Sequence, residues 1–193
     1  RKLSDPGSKH VVSKLGDDAA IIKFDSSFQA LTTDHLRSFT KDVWLQSKIT
    51  AIHALGDIWA MGSDPEIALT NIIIPESSNE IQKRTIEEII DGANSVFGAE
   101  GVKIVGGHTS LGKEIVIGFT LGGFSKKQPK TVDKACVGDQ IILTKPLGSG
   151  VLLAGEMRFE GEGQHLKNLF DEMSQSQSSI AKVLSKVANS MTD

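Results

Sequence analysis

The stretch DVWLQSKITAIHALGDIWAMGSDPEIALTNIII, residues 42–74, holds an amphipathic helix, its stop signal and the strand that follows. Trp44, Leu45, Ile49, Ile52, Leu55, Ile58 and Trp59 recur every three to four residues, with the stem of Lys48 on the same side. That period is the mark of a helix with one apolar face, and both tryptophans read as core. Gly62 is free to end the helix in the left-handed conformation, and Pro65 forbids its continuation. Glu66–Ile74 is then a strongly apolar strand closed by Pro75.

The pattern extends in both directions. Ala19–Phe24 and Gln29–Thr33 read as two strands joined at Asp25-Ser26-Ser27, whose side chains bond nearby backbone groups in turns. Asn79–Glu100 carries Ile81, Ile86, Ile89, Ile90, Ala93 and Val96 at helical spacing, behind the candidate caps Ser77, Ser78 and Asn79. Val102–Val105 and Glu114–Gly122 are strands on either side of a glycine-rich turn, Gly106–Thr109. Ser125–Lys134 is less apolar and is the candidate linker. Beyond it, Asp139–Thr144 reads as a strand, Val151–Met157 as a helix, and Leu166–Ala188 as one further helix or two. This order predicts an α+β fold, a mixed sheet with helices on one side. Residues 1–128 are expected to form the first domain, and 129–193 the beginning of a second α+β domain that is truncated.

Composition narrows the function. A net charge of -3 without a long Lys/Arg run excludes a nucleic-acid binder that works by charge alone. Lys126-Lys127-Gln128-Pro129-Lys130 reads as a solvated turn. The first residues are polar and mixed in charge, and no stretch approaches a membrane span, so no membrane partner is expected. A single cysteine, Cys136, excludes an intrachain disulfide and a cysteine-rich zinc site. It fits a reducing compartment, and a cytoplasmic location is expected. No histidine lies near Cys136 in sequence, and it reads as a packed or surface thiol.

Four short signatures carry the chemistry: Gly16-Asp17-Asp18-Ala19-Ala20, Thr32-Thr33-Asp34, Leu55-Gly56-Asp57 and Gly106-Gly107-His108-Thr109. A fifth carboxylate, Asp193, closes Met191-Thr192-Asp193. Carboxylates beside small residues after apolar runs present hard oxygen ligands, as Mg2+ on nucleotide phosphates requires. Asp34 is expected at the end of its strand. Asp57 falls in the last turn of the first helix, where the helix field disfavours a negative charge, so a cation or a donor must compensate. Glycines after a strand let backbone N–H groups approach a phosphate, and Thr109 adds a hydroxyl. There is no P-loop and no dinucleotide fingerprint. Lys145-Pro146-Leu147-Gly148 reads as the start of a helix after a strand.

Taken in order, GDDAA, TTD, LGDIWAMG, GGHT, LTKPLGSG and MTD resemble selenophosphate synthetase (selenide, water dikinase), of the aminoimidazole-ribonucleotide-synthetase-like ATP-binding superfamily. The resemblance runs from about Leu15 to Asp193. It implies synthesis of selenophosphate from selenide, water and ATP with release of AMP and phosphate. It also implies a homodimer whose N-terminal domains pair into a β-barrel. Carried over by motif, Asp18, Asp34, Asp57 and Asp193 would be Mg2+ ligands, with Asp34 also on ATP. Leu15, Gly16 and Asp17 would line the nucleotide, and Gly107, His108 and Thr109 would reach ATP across the dimer interface.

The family's reactive cysteine or selenocysteine and its lysine have no counterpart here. The fifteen residues before Gly16 contain no cysteine, and Lys2, Lys9 and Lys14 lack the surrounding glycine-rich loop, so no catalytic residue is assigned. The stretch GGHTSLGKEIVIGFTLGGF looks closer to variants fused behind a pyridine-nucleotide-disulfide oxidoreductase, which would supply the thiol. Both ends look cut, and the fragment alone is expected to be weak or inactive. Two alternatives stand beside this reading: a small-metabolite kinase resembling thiamine-monophosphate kinase, and a non-catalytic nucleotide-binding or dimerisation module.

Overall fold

A computed structural model describes residues 8–193; of the residues weighed above, Lys2 lies outside them. Five strands form one sheet in the order β1-β2-β5-β3-β4. They are β1 (Ala20–Phe24), β2 (Ser27–Arg37), β3 (Asp64–Pro75), β4 (Lys103–Gly112) and β5 (Val116–Ser125). The pairings β1–β2, β2–β5 and β3–β5 are antiparallel. Only β3–β4 is parallel, because the helix α2 (Asn79–Glu100) carries the chain back between them. The expected α+β architecture is present, and the sheet is open.

The helices form where the sequence signals them. Asp42 caps α1 (Val43–Ala60) by accepting from the Leu45 N–H at 2.8 Å, and Gly62 follows its end at φ 68°. Ser78 caps α2, and Gly101 ends it in the left-handed region. Both helices cover one face of the sheet, where Ala68, Thr70, Ile72, Ile74, Ile117, Phe119 and Leu121 point inward in strict alternation. Phe97 of α2 meets Phe119 edge to face at 5.0 Å. The helices touch at Gly92, where a Cβ would overlap the Trp44 carbonyl oxygen, and the Ser47 hydroxyl donates to the Ile89 carbonyl at 2.6 Å.

Several expectations need correction. Trp59 is core, but Trp44 is half-buried, its indole N–H donating to Asp91 at 2.7 Å. Strand β2 runs on to Arg37, so Asp34 sits within a strand, opposite Phe119. Gly106–Thr109 is not a turn. It lies inside the edge strand β4, with Gly107 packed so tightly on Thr70 that no Cβ would fit. Pairing with β3 there overrides the low strand propensity of glycine.

Asp139–Thr144 forms no strand: Ile141, Ile142 and Leu143 are exposed, with no neighbouring strand among the described residues to accept them. After β5 the regular structure is helical, namely a short 3-10 turn (Val132–Lys134), α3 (Ser149–Met157), α4 (Gly163–Met173) and α5 (Ser178–Val187). The last two are the second of the two forms expected for that stretch, a pair of helices divided at residues 174–177. This helical tail folds back on the first part of the chain. Phe170 packs on Phe39, the Ser176 hydroxyl donates to Glu100, and Lys130 donates to the Ala188 carbonyl. Among the described residues no helix is long and apolar enough to cross a membrane.

Candidate cation and nucleotide site

The fold-back brings the end of the chain to the start of the sheet. Asp18 precedes β1, Asp57 lies in the last turn of α1, and Asp193 follows α5. One oxygen from each lies within 4.8 Å of the other two. Thr32 on β2 donates its hydroxyl to Asp57. Thr192 donates to Asp18 Oδ1 at 2.9 Å, whereas Asp18 Oδ2 is closed off from solvent and has no partner. Among the described residues no lysine or arginine pairs with any of the three.

Electrostatics follow from that crowding. Burial pushes the Asp57 carboxyl up to about 6; the Thr32 hydroxyl opposes the shift, and Asp193, Asp34 and Asp18 add to it. Burial also raises Asp193, with His53 opposing and Asp18 and Asp34 adding. Mutual repulsion of this kind is relieved by a divalent cation. The three-carboxylate donor set is all hard oxygen, and the orphaned Asp18 oxygen offers a lone pair, so these residues fit Mg2+.

Asp34 stands beside this group and not in it. Its Oδ1 accepts from the His35 N–H at 2.8 Å, and its Oδ2 stands 2.8 Å from His53 Nε2. The other ring nitrogen of His53 is 3.9 Å from Asp193 Oδ2. Sequence reasoning passed over His53. The available signal was its place four residues before Asp57, which puts both side chains on one face of the helix.

The Leu15-Gly16-Asp17 turn is arranged differently from Asp18. Gly16 adopts φ 105°, and Leu15 is exposed. Asp17 turns away from the three carboxylates, accepting from the N–H groups of Lys14 at 2.7 Å and Val132 at 3.0 Å. It thereby ties the first segment to the linker after the sheet. Lys14 reinforces the tie through an ion pair with Asp133 at 2.5 Å; hydrogen bonds from Lys14 and Thr131 hold Asp133 down at about 2. A cleft of about 670 Å³ opens there, lined by Val12, Lys14, Asp17, Lys130, Lys134 and the exposed Cys136. Lys145 is spent elsewhere, donating to the Gln175 carbonyl at 2.7 Å between α4 and α5.

Gly107, His108 and Thr109 are exposed and do not join the acidic group within one chain. Asp34 is level with Phe119, Phe119 with Thr70, and Thr70 with Gly107. Three strand spacings of ~4.8 Å put Gly107 about 14 Å to the side of Asp34.

Residues 16–125 match the family described as AIR synthase related protein, N-terminal domain. The chain belongs to that family. Among curated relatives, the selenide, water dikinase of Pseudomonas putida is 34% identical over 164 residues, covering 81% of this chain and 47% of that protein. The enzyme of the same name from Bdellovibrio bacteriovorus is 34% identical over 148 residues, covering 76% of this chain and 42% of its own length. The chain thus spans about half the length of the curated relatives it matches. Among solved structures, a thiamine monophosphate kinase from Aquifex aeolicus superposes with a TM-score of 0.70 at 22% identity, over 90% of this chain and 60% of its own. The hydrogenase maturation protein HypE in complex with ATP gives a TM-score of 0.62 at 17% identity, over 81% of this chain and 47% of that one. These structural likenesses concern the fold alone.

Proposed function

We propose that this chain is the ATP- and Mg2+-binding part of a selenide, water dikinase, which makes selenophosphate from selenide, water and ATP and releases AMP and phosphate. The observation that carries the reading is the convergence of Asp18, Asp57 and Asp193 with no lysine or arginine among the described residues paired to them. The curated relatives of that name match most of the chain. Bound with ATP, Mg2+ would offset the phosphate charge. The chain's own residues do the rest: Asp18, Asp57 and Asp193 hold the cation, and Asp34, held by the His35 N–H and beside His53, faces the phosphates from the side. The cleft beside Asp17 has the size of a small-molecule site and receives the nucleoside along Leu15, Gly16 and Asp17.

The outer face of the sheet supports a homodimer. Leu31, Ile67, Leu69, Ile73, Val116 and Phe124 point away from the helices, and Leu69 and Phe124 are each about two-fifths exposed. A second copy laid on this face would cover them in a shared barrel, and would carry its Gly107–Thr109 segment toward the acidic group. Residues 1–128 then form the ATP-binding and dimerisation domain, and 129–193 begin the next. The thiol chemistry is supplied outside the described residues, by a fused or associated oxidoreductase, and the reaction takes place in the cytoplasm.

The test is ³¹P NMR of the whole protein that carries this chain, supplied with ATP, Mg2+ and selenide. A selenophosphate signal with AMP is expected. ADP as the sole nucleotide product would replace this reading with a simple kinase of the same fold, with thiamine monophosphate as the first acceptor to try. Unchanged turnover in Asp34→Asn and Asp57→Asn would remove the metal assignment.

A further inference from the structure

His53, Gly56 and Asp57 occupy positions i, i+3 and i+4 of α1 and so share one face of the helix. Asp193 arrives on that face from the far end of the chain. A Cβ at Gly56 would stand 2.6 Å from Asp193 Oδ2 and 3.3 Å from its Cβ, so the carboxylate rests where only hydrogen fits. His53 borders the same spot: Nδ1 is 3.9 Å from Asp193 Oδ2, and Nε2 lies 2.8 Å from Asp34 Oδ2 on its other side. Neither residue is required by the helix. Glycine in a helix interior costs about 1 kcal/mol relative to alanine, and His53 is exposed.

Neither ring nitrogen of His53 belongs to the group of oxygens that lie within 4.8 Å of one another. The imidazole is therefore outside a coordination sphere centred on Asp18, Asp57 and Asp193. It borders one of the three ligands, Asp193. We infer that Gly56 and His53 are positioning residues: Gly56 provides the seat and His53 the side wall that hold the Asp193 carboxylate on the cation site. On this view α1 contributes one ligand, Asp57, and also places another from a distant segment. The inference rests on the cation reading of the three carboxylates given above.

Mn2+ binding by the full chain tests it, followed by electron paramagnetic resonance, with thermal melting measured in parallel without metal. The wild type is expected to bind Mn2+, and Asp57→Asn is expected not to. If the wild type fails to bind, the cation reading itself falls. Given wild-type binding, Gly56→Ala is expected to bind about 10-fold more weakly while melting at the same or a higher temperature, since alanine favours the helix. His53→Ala is expected to lose about the same factor. In an Asp193→Asn background both substitutions should cost nothing further, because the carboxylate they place is gone. Unchanged Mn2+ affinity in Gly56→Ala and His53→Ala overturns the inference. So does the same 10-fold loss persisting in the Asp193→Asn background.

Discussion

The Thr32 hydroxyl donates to the Asp57 carboxylate, tying the middle of β2 to the last turn of α1. This bond opposes the upward push of burial on Asp57. Thr32→Val keeps the shape and removes the donor, so Asp57 should titrate still higher. A proton and a cation compete for the same oxygen. The pH midpoint of Mn2+ binding, measured by calorimetry between pH 5 and 8, is therefore expected to move upward in Thr32→Val. A midpoint that stays in place would mean that the bond does not tune the carboxylate.

Asp57 itself should cost stability in the absence of metal. It titrates at about 6 in the folded chain against 3.8 as its ordinary value. The folded state thus holds the proton more tightly than the unfolded one. The stability linked to this group is fully present below the unfolded value and lost as pH rises through about 6. Asp57→Asn removes the charge at every pH. Without added cation it is expected to melt higher than the wild type at pH 7.5, by about 2–4 °C if the screened penalty is about 1 kcal/mol. Added Mg2+ should raise the melting temperature of the wild type and not that of the variant. A variant that melts lower than the wild type at pH 7.5 would contradict the assigned penalty.

The crossing of α1 and α2 offers a prediction of opposite sign to helix propensity. Gly92 presses against the Trp44 carbonyl, and Ser47 Cβ would lie 3.1 Å from an added Cβ. Gly92→Ala gains about 1 kcal/mol of propensity and forces the helices apart at a cost of about 1–3 kcal/mol. A lower urea midpoint is expected, with an unchanged slope. A raised midpoint would show that the helices separate freely.

The two long helices and the strands around them were legible because each bears a one-sided apolar period and an explicit cap, as at Asp42, Ser78 and Gly101. Asp18, Asp57 and Asp193 were legible as a candidate set because each sits in a short acidic motif of the family pattern. Other features depend on tertiary neighbours and left no local trace. Gly106–Thr109 has the composition of a turn and becomes strand only because β3 pairs with it. Asp139–Thr144 has the composition of a strand and remains unpaired. His53 looks like any exposed helix residue until Asp34 is drawn beside it by the unexpected length of β2. The approach of Asp193 to Gly56 spans 137 positions of chain, which no local pattern encodes.

The lateral distance between Gly107 and Asp34 makes the dimer testable by complementation. Within one chain, about 14 Å of sheet separates Gly107 from Asp34. In the proposed dimer, each site takes its carboxylates from one copy and its GGHT segment from the other. His108→Ala and Asp57→Asn should then each abolish turnover in the whole protein, while His108→Ala alone leaves Mn2+ binding intact. Mixing the two variants under conditions that let subunits exchange creates heterodimers with one doubly damaged site and one undamaged site. With random reassortment, turnover should return to about a quarter of wild type. If each site were built from a single chain, every site in the mixture would carry one lesion and no activity would return.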